Sequence, residues 1–431
     1  MSDSHIVVVG AGLAGLTCAV LAARQGARVT LLERAEKPGG RAGSRNVDGF
    51  LFNRGAHALY QGGASDRVLR RLGVAWSGAA APLHASYVES GGALHRTPVS
   101  ASSMFQTTLL TASEKLDLAA AMGAAALTPL EGLASVSTAQ WTDRVAATPK
   151  VSSLLRTLLR LATYAHAPNE QSAGAALGQL RQAMFKQVMY LDGGWQTLVD
   201  GLLEQAWAVG VEVRNGSLVS LIQTRAHPRT TEVFLASGEA LRPDAVVVAV
   251  PPAAAGKILP QPVADEVRAH LHRHPPVMAA CLDVALSALP NPEVLNVLSL
   301  DAPLYLSVHS AVARLAPDGA ALVQCIRYVE PGTRPDPEAL RAEVEGLLDR
   351  AQPGWREACL HQQWLPRIQA ASCLDRSEDG AARPAVRTCV DGVFLAGDWV
   401  GPEGVLADAA FASGEAAAQA LAVDAQRRRA A

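Results

Sequence analysis

The sequence predicts an α/β fold: a largely parallel sheet assembled from separated stretches of chain, with an α+β region inserted between them. Three observations predict it. The first 33 residues hold an apolar run, a glycine-rich turn, a helical pattern and a second apolar run. Much later, Ala245-Val246-Val247-Val248-Ala249-Val250 reads as a buried strand ending at Pro251-Pro252. Near the C-terminus, Gly392-Val393-Phe394-Leu395-Ala396 leads into Gly397-Asp398 and a further helical stretch. Near-continuous apolar runs of this kind suit strands covered on both faces.

The first unit starts at His5-Ile6-Val7-Val8-Val9. Gly10-Ala11-Gly12-Leu13-Ala14-Gly15 follows, then a helix stopped by Gly26, then Val29-Thr30-Leu31-Leu32-Glu33. Strand, glycine turn, helix and second strand in this order are the Rossmann-type setting in which G-x-G-x-x-G binds a dinucleotide. Gly10 permits the tight turn, Gly12 lets the backbone approach a pyrophosphate, and Gly15 lets the helix pack close to the strand. Amides at the helix start face the phosphates, aided by the helix dipole. Glu33 lies about 20 residues on, where a carboxylate accepts hydrogen bonds from a ribose.

The continuation narrows the ligand. Arg34-Ala35-Glu36-Lys37-Pro38-Gly39-Gly40-Arg41-Ala42-Gly43 is a second glycine loop, followed by Phe50-Leu51-Phe52-Asn53-Arg54-Gly55-Ala56-His57. A nicotinamide site needs no such second loop. A longer cofactor does, and Arg41 can supply a fixed cation beside its pyrophosphate. The paired motifs resemble the flavoprotein superfamily of phytoene and carotenoid desaturases, protoporphyrinogen oxidases and flavin amine oxidases, the desaturase-like group most of all. The resemblance implies FAD. It also implies cofactor contacts from Leu13 and Ala14 in the first turn, from Glu33 and Arg34, from Gly40 and Arg41, and from Gly55 and Ala56.

Length and composition fit that reading. A chain of 431 residues exceeds the usual size of a single core, so at least two domains are expected. Hydrophobic residues at 49% against 18% charged allow extensive burial. A net charge of −2 without a basic stripe gives no case for nucleic acid. No uninterrupted apolar stretch reaches about 18 residues, so no transmembrane helix is expected. Met1-Ser2-Asp3-Ser4 runs straight into the first strand, leaving no room for a signal peptide. Six cysteines without C-x-x-C or metal spacing read as the reduced thiols of a cytoplasmic protein.

From about 63 to 189 the pattern is mostly helical. Helices are expected at Asp66 to Leu72 and from Ala112, with a hairpin around Gly91-Gly92. The stripe Leu154, Leu155, Leu158, Leu159 and Leu161 reads as core packing. Met189 to Leu198 then leads into a helix ending near Ala208, and strands follow at Val211–Val213, Leu218–Ile222 and Glu232–Leu235. A second variable stretch, 259–384, holds strand-like runs at Ala279–Val284, Leu304–His309 and Ala321–Tyr328, and a helix at Pro337–Arg350. By the resemblance, residues 1–62, 190–258 and 385–425 form the FAD-binding domain, while 63–189 and 259–384 form the substrate domain. Residues 426–431 read as a solvated tail whose arginines offer at most a minor contact with an anionic membrane.

The resemblance places Val219 at the adenine and Val250 near the isoalloxazine or its linker. It places Asp398, after Gly397, at the ribityl chain, and Leu406, Ala407 and Ala410 at the start of a helix facing the flavin pyrimidine. A helix N-terminus there stabilises the negative charge of a reduced flavin. Asp408 and Ala409 stand where the family pattern has glutamate and glycine, which leaves a specific contact from the acid unassigned. His57 either accepts a substrate proton or bonds the cofactor, the structural role being favoured. Trp195 and Trp399 either line the flavin or pack in the core.

Hydride transfer needs few titrating groups, and the sequence offers no clear acid–base pair and no hydrolase motif. The expected activity is removal of hydride from a C–C or C–N bond of an apolar small molecule. An oxidase of the amine or porphyrinogen type using oxygen is the alternative, although the lysine and paired tyrosines of amine oxidases have no clear match; Lys257 lies outside that position. A silent flavin-binding protein is the third reading. The sequence implies no oligomeric state.

Overall fold

The structure is a computed structural model describing residues 4–225, 230–378 and 382–430. A five-stranded parallel sheet, in the order 212–214, 28–32, 5–9, 245–248 and 393–395, forms its base. His5–Val9 lies at the centre, with Val7 and Val8 fully buried, because its side chains meet a packed layer on each face. Ile6 and Val8 face the helices Leu13–Arg24, Gln196–Ala208 and Leu406–Ala430. Val7 and Val9 face an antiparallel meander, 219–225 with 230–235 and 240–241, and the helices Pro252–Ile258 and Gln261–Arg273. Strand alternation thus produces the layered α/β architecture.

The inserted region is built on a seven-stranded sheet ordered 359–371, 277–286, 321–329, 304–308, 296–299, 86–90 and 93–96. Even-numbered side chains of Val277–Leu286, such as Leu282 and Val284, pack under the helix Pro337–Ala351. Odd-numbered ones, Ala279 and Cys281, face helices Ala112–Leu127, Thr138–Val145, Pro149–Thr163 and Ala173–Phe185. The leucine stripe behaves as expected: Leu154, Leu155 and Leu159 are core, with Leu158 and Leu161 packed against it. The helix from Ala112 is started by a capping box, Thr111 accepting from the Glu114 amide while Glu114 accepts from Thr111.

Two expectations change. The sequence pattern shows no strand at 359–371, yet Cys359–Ala371 is a thirteen-residue strand. It carries Pro366 and many polar residues, and it tolerates them because it is the edge strand of its sheet. The expected tail is instead the end of the C-terminal helix, which runs to Ala430. Arg428 holds Asp424 at 2.6 Å and the Asp244 carbonyl at 3.0 Å, so the last turn is tied to the base domain. The side chain of Arg429 lies outside the described residues.

Candidate cofactor and substrate site

The first glycine turn is shaped by close approaches. Gly10 has φ +102°, and a Cβ there would stand 2.7 Å from the Ala249 carbonyl oxygen and 2.9 Å from Val250 Cγ1. A Cβ on Gly15 would lie 1.9 Å from the Gly10 carbonyl oxygen, so only glycine lets the first helix sit this near its strand. Gly12 is different: a Cβ there would meet nothing within 4 Å and would project into open space. The second glycine loop folds onto the first, with the Gly39 amide donating to the Ala11 carbonyl at 2.8 Å.

These turns border one cavity of about 930 Å³. Its volume lies at the upper end of the range typical of ligand sites. Gly10, Gly12, Leu13 and Ala14 line it, as do Glu33, Arg34, Gly40, Arg41 and Ala56. So do Val219, Val250, Gly397, Asp398, Leu406, Ala407 and Ala410, together with His57, Trp195 and Trp399. Gly15 and Gly55 do not. Gly15 is covered by the Gly10 carbonyl, and Gly55, at φ +92°, is pressed against Ile368 Cδ1 at 2.6 Å from its ideal Cβ. Both shape the wall without forming it. Lys257 lines the cavity from the helix Pro252–Ile258, which packs on the strand carrying Val219.

The Glu33 carboxylate accepts from the Ala11 amide at 2.9 Å and the Ala35 amide at 2.9 Å. Each oxygen keeps further acceptor capacity. Arg41 and Asp398 form a bidentate pair, Nη2 to Oδ1 at 2.6 Å and Nη1 to Oδ2 at 2.9 Å. The Ser372 amide adds a bond to Asp398 at 2.8 Å. Burial opposes the charge on Asp398, but the Arg41 guanidinium and Ser372 more than offset it, so this carboxyl lies below its ordinary range. Ser413 fastens Gly397 to the C-terminal helix, its hydroxyl accepting from the Gly397 amide at 2.9 Å.

Asp408, unassigned by the family pattern, proves to be a clasp. Oδ1 accepts from the Ser65 amide at 2.7 Å and from the Ser65 hydroxyl at 2.5 Å, and Oδ2 from Gln182 at 2.8 Å. It thereby joins the start of the C-terminal helix to helices Ala64–Leu72 and Ala173–Phe185. Leu406, beside it, holds φ +54°, and Tyr164 holds φ +62° at the end of Pro149–Thr163. Both strained residues line the cavity and pack on one small cluster, which holds them in place.

His57 Nδ1 lies 2.8 Å from the Gly55 carbonyl, and its ring tilts against Trp195 with centroids 5.0 Å apart. Burial lowers its pKa, opposed by the Gly55 and Arg41 backbone carbonyls, so the ring is neutral at pH 7. Two backbone partners give it a bracing role between the second glycine loop and the segment Asn53–His57. Beyond it the cavity continues between Tyr60, Tyr164, Cys281, Ile326 and Ile368. Burial pushes the Tyr60, Tyr164 and Cys281 pKa values up, leaving all three neutral. Tyr190, Tyr305 and Tyr328 stand behind this wall, so only Tyr87 of the six tyrosines lies elsewhere.

A Rossmann-type base, a second glycine loop folded onto the first and an adjoining aromatic chamber define a dinucleotide-dependent oxidoreductase architecture. Residues 13–422 match the family of flavin-containing amine oxidoreductases, and the chain belongs to it. The protein is accordingly an FAD-dependent oxidoreductase. It is 51% identical over 55 residues to a phytoene dehydrogenase of Streptomyces griseus, covering 13% of this chain and 11% of that protein. It is 51% identical over 56 residues to an L-amino-acid oxidase of Daboia russelii, 12% of this chain and 11% of that one. The chain thus matches only about a tenth of the length of these two curated relatives. Among solved structures, an oxidoreductase from Methanosarcina mazei superposes with TM-score 0.74 at 19% identity, covering 96% of this chain and 100% of that one. Putrescine oxidase bound to putrescine gives 0.71 at 16% identity, with 97% and 99% covered. These likenesses show the fold.

The residues present suit FAD. Gly12 leaves the space a pyrophosphate needs, Glu33 keeps acceptor capacity at the second strand, and the cavity is long enough to join both loops to the helix at Leu406. Among the described residues, no helix is long and apolar enough to cross a membrane.

Proposed function

We propose that this protein removes hydride from a C–C or C–N bond of an apolar small molecule, in the manner of a phytoene-desaturase-like dehydrogenase. One observation carries the reading: every carboxylate lining the cavity is already engaged. Glu33 is held by two backbone amides, Asp398 by Arg41, and Asp408 by Ser65 and Gln182. The chamber beyond His57 is walled by Tyr60, Tyr164, Cys281, Ile326 and Ile368, whose phenols and thiol are neutral, so among the described residues this wall adds no charge of its own to hold a cationic amine.

FAD, when bound, supplies the hydride acceptor. Gly12 and the amides at the start of the first helix would hold its pyrophosphate, and Glu33 its ribose. The chain's further part is positional. Tyr60, Tyr164, Ile326 and Ile368 confine an apolar molecule and exclude water, which removes competing proton exchange and fixes the reacting carbon. His57 braces the wall on which Ala56 stands.

The test is the visible spectrum of the purified protein under anaerobic conditions, before and after adding a polyene and then a simple amine. Bleaching of the flavin bands by the polyene is expected. Bleaching by the amine alone would transfer the protein to the oxidases, and flavin that neither compound reduces would make it a silent binder.

A further inference from the structure

The strand Val277–Leu286 carries an anomaly on its cavity-facing side. Its odd-numbered positions run Val277, Ala279, Cys281, Asp283 and Ala285, so a carboxylate interrupts an otherwise apolar face. Asp283 is 1% exposed and has no ion-pair partner among the described residues. It belongs to a polar row crossing six strands in register: Gln363, Asp283, Gln324, Ser307, Asn296 and Ser86. A face meant only for packing would not carry such a row, since each buried polar group needs a partner.

Gln324 bonds the His309 amide and Asn296 the Pro82 carbonyl, while the Asp283 carboxylate, its Oδ1 without a hydrogen-bond partner, is tied through Gln363 to another place. Gln363 Nε2 donates to Asp283 Oδ2 at 3.0 Å and to the Asn53 carbonyl at 2.7 Å. The Asn53 side-chain carbonyl accepts from the Trp195 amide at 3.0 Å and the Ser44 hydroxyl at 2.6 Å. Two residues before Asp283, the Cys281 thiol faces the Ala56 amide. This strand and its neighbour Cys359–Ala371 therefore hold the arch Asn53-Arg54-Gly55-Ala56-His57 at Ala56 and at Asn53, and Arg54, Ala56 and His57 of the arch line the cavity.

We propose that Asp283 is a positioning residue: through Gln363 it fixes the Asn53 end of this arch and so sets how firmly the cavity closes on its cofactor. The proposal rests on the FAD reading of the cavity. A charged carboxylate holds the Gln363 amide more firmly than a neutral carboxyl, so the group that also bonds the Asn53 carbonyl is pinned in one position when Asp283 ionises. Burial raises the Asp283 pKa to about 7, with Gln363 opposing the rise, so the change falls near neutrality. The titratable groups packed around it stay neutral there. Cys281 and Cys325 are pushed up, Tyr190 and Tyr305 likewise, and burial together with His57 takes His309 down to about 3. Arg54, on the arch itself, is exposed.

The experiment uses wild type, Asp283→Asn and Gln363→Leu. Neither substituted residue lines the cavity. Difference infrared spectroscopy without added FAD follows the buried carboxyl, and the ring signal of His57 in isotope-labelled protein follows the arch. In wild type both should change with one midpoint near pH 7, and FAD should dissociate about three- to tenfold faster at pH 6 than at pH 8. Asp283→Asn should lose the infrared band, hold His57 at its low-pH signal and release FAD at the fast rate throughout. Gln363→Leu should keep the carboxyl titration but uncouple it from His57 and from FAD release. Unchanged pH dependence in Asp283→Asn overturns the proposal, as does coupling that survives in Gln363→Leu. If Asp283→Asn fails to fold, Gln363→Leu decides alone. If wild type binds no FAD while His57 still follows the carboxyl, the cofactor reading falls and the positioning role stands.

Discussion

Replacing Gly12 and Gly15 separately should divide cofactor binding from folding, although the two lie three residues apart in one motif. Gly12 has φ −80° and ψ −178° at the start of the first helix, a conformation that any residue adopts, and its Cβ would touch no protein atom within 4 Å. Gly12→Val should therefore change stability by less than about 1 kcal/mol, the cost of a poorer helix cap. Its side chain would fill the space over the helix-start amides. Losing two charge-assisted hydrogen bonds at about 1.5–3 kcal/mol each amounts to roughly 3–6 kcal/mol, or about a 10²–10⁴-fold weaker affinity. Gly15→Ala is the converse. Its Cβ would lie 1.9 Å from the Gly10 carbonyl oxygen and 3.3 Å from Ala249 Cβ. The helix would have to retreat by roughly 1.5 Å to restore ordinary contact distances. The obstacle is backbone, so the loss should reach the upper end of overpacking, about 3 kcal/mol. Better helix propensity in alanine, worth about 1 kcal/mol, does not offset it. The assay is fluorimetric FAD titration beside urea unfolding of each variant. Stoichiometric, tight FAD in Gly12→Val would refute the cofactor geometry. Wild-type stability in Gly15→Ala would refute the packing argument.

The remaining predictions concern charge. Asp283 has a folded pKa of about 7 against about 3.9 unfolded, so the folded state holds this proton more tightly and stability falls as pH rises between the two values. Asp283→Asn should thus leave stability unchanged near pH 4 and gain up to about 4 kcal/mol by pH 8, less whatever Gln363 loses; parallel unfolding curves for the two proteins would contradict this. Asp398 has the opposite sign. Its depressed pKa gives stability that is present above about pH 3.9 and lost as pH falls through the folded value. Arg41→Ala removes the partner, so acid unfolding should move to higher pH and FAD affinity should drop; an unmoved acid transition would show that the pair contributes nothing.

Much of the base domain was legible because local chemistry enforces it. A parallel strand buried on both faces has to be an apolar run, and a helix that approaches its strand as closely as Leu13–Arg24 does needs glycine at the crossing. Such constraints act on consecutive residues and leave a written trace. The edge strand Cys359–Ala371 left none, because one open side relaxes the demand for hydrophobicity and lets Pro366 stay. Arg41 and Asp398 were each expected to contact the cofactor, but nothing local reveals that they pair across 357 positions of sequence.

The chamber was the hardest part to read, for a definite reason. Tyr60, Tyr164, Cys281, Ile326 and Ile368 come from five separated stretches, and each alone obeys the ordinary rule for a core position. A wall built of rule-abiding residues is indistinguishable from a core until the chain is folded. Departures from the rule are where the sequence could have said more. Asp283 sits at an inward position of a strand whose inward neighbours are Ala279, Cys281 and Ala285. Strand alternation predicts that an acid there is either solvent-facing or buried for a purpose. The apolar residues on both sides of the strand exclude the first. The acid at that position is therefore the chamber's one visible mark in the sequence, and it marks the support behind the wall rather than the surface that meets the substrate.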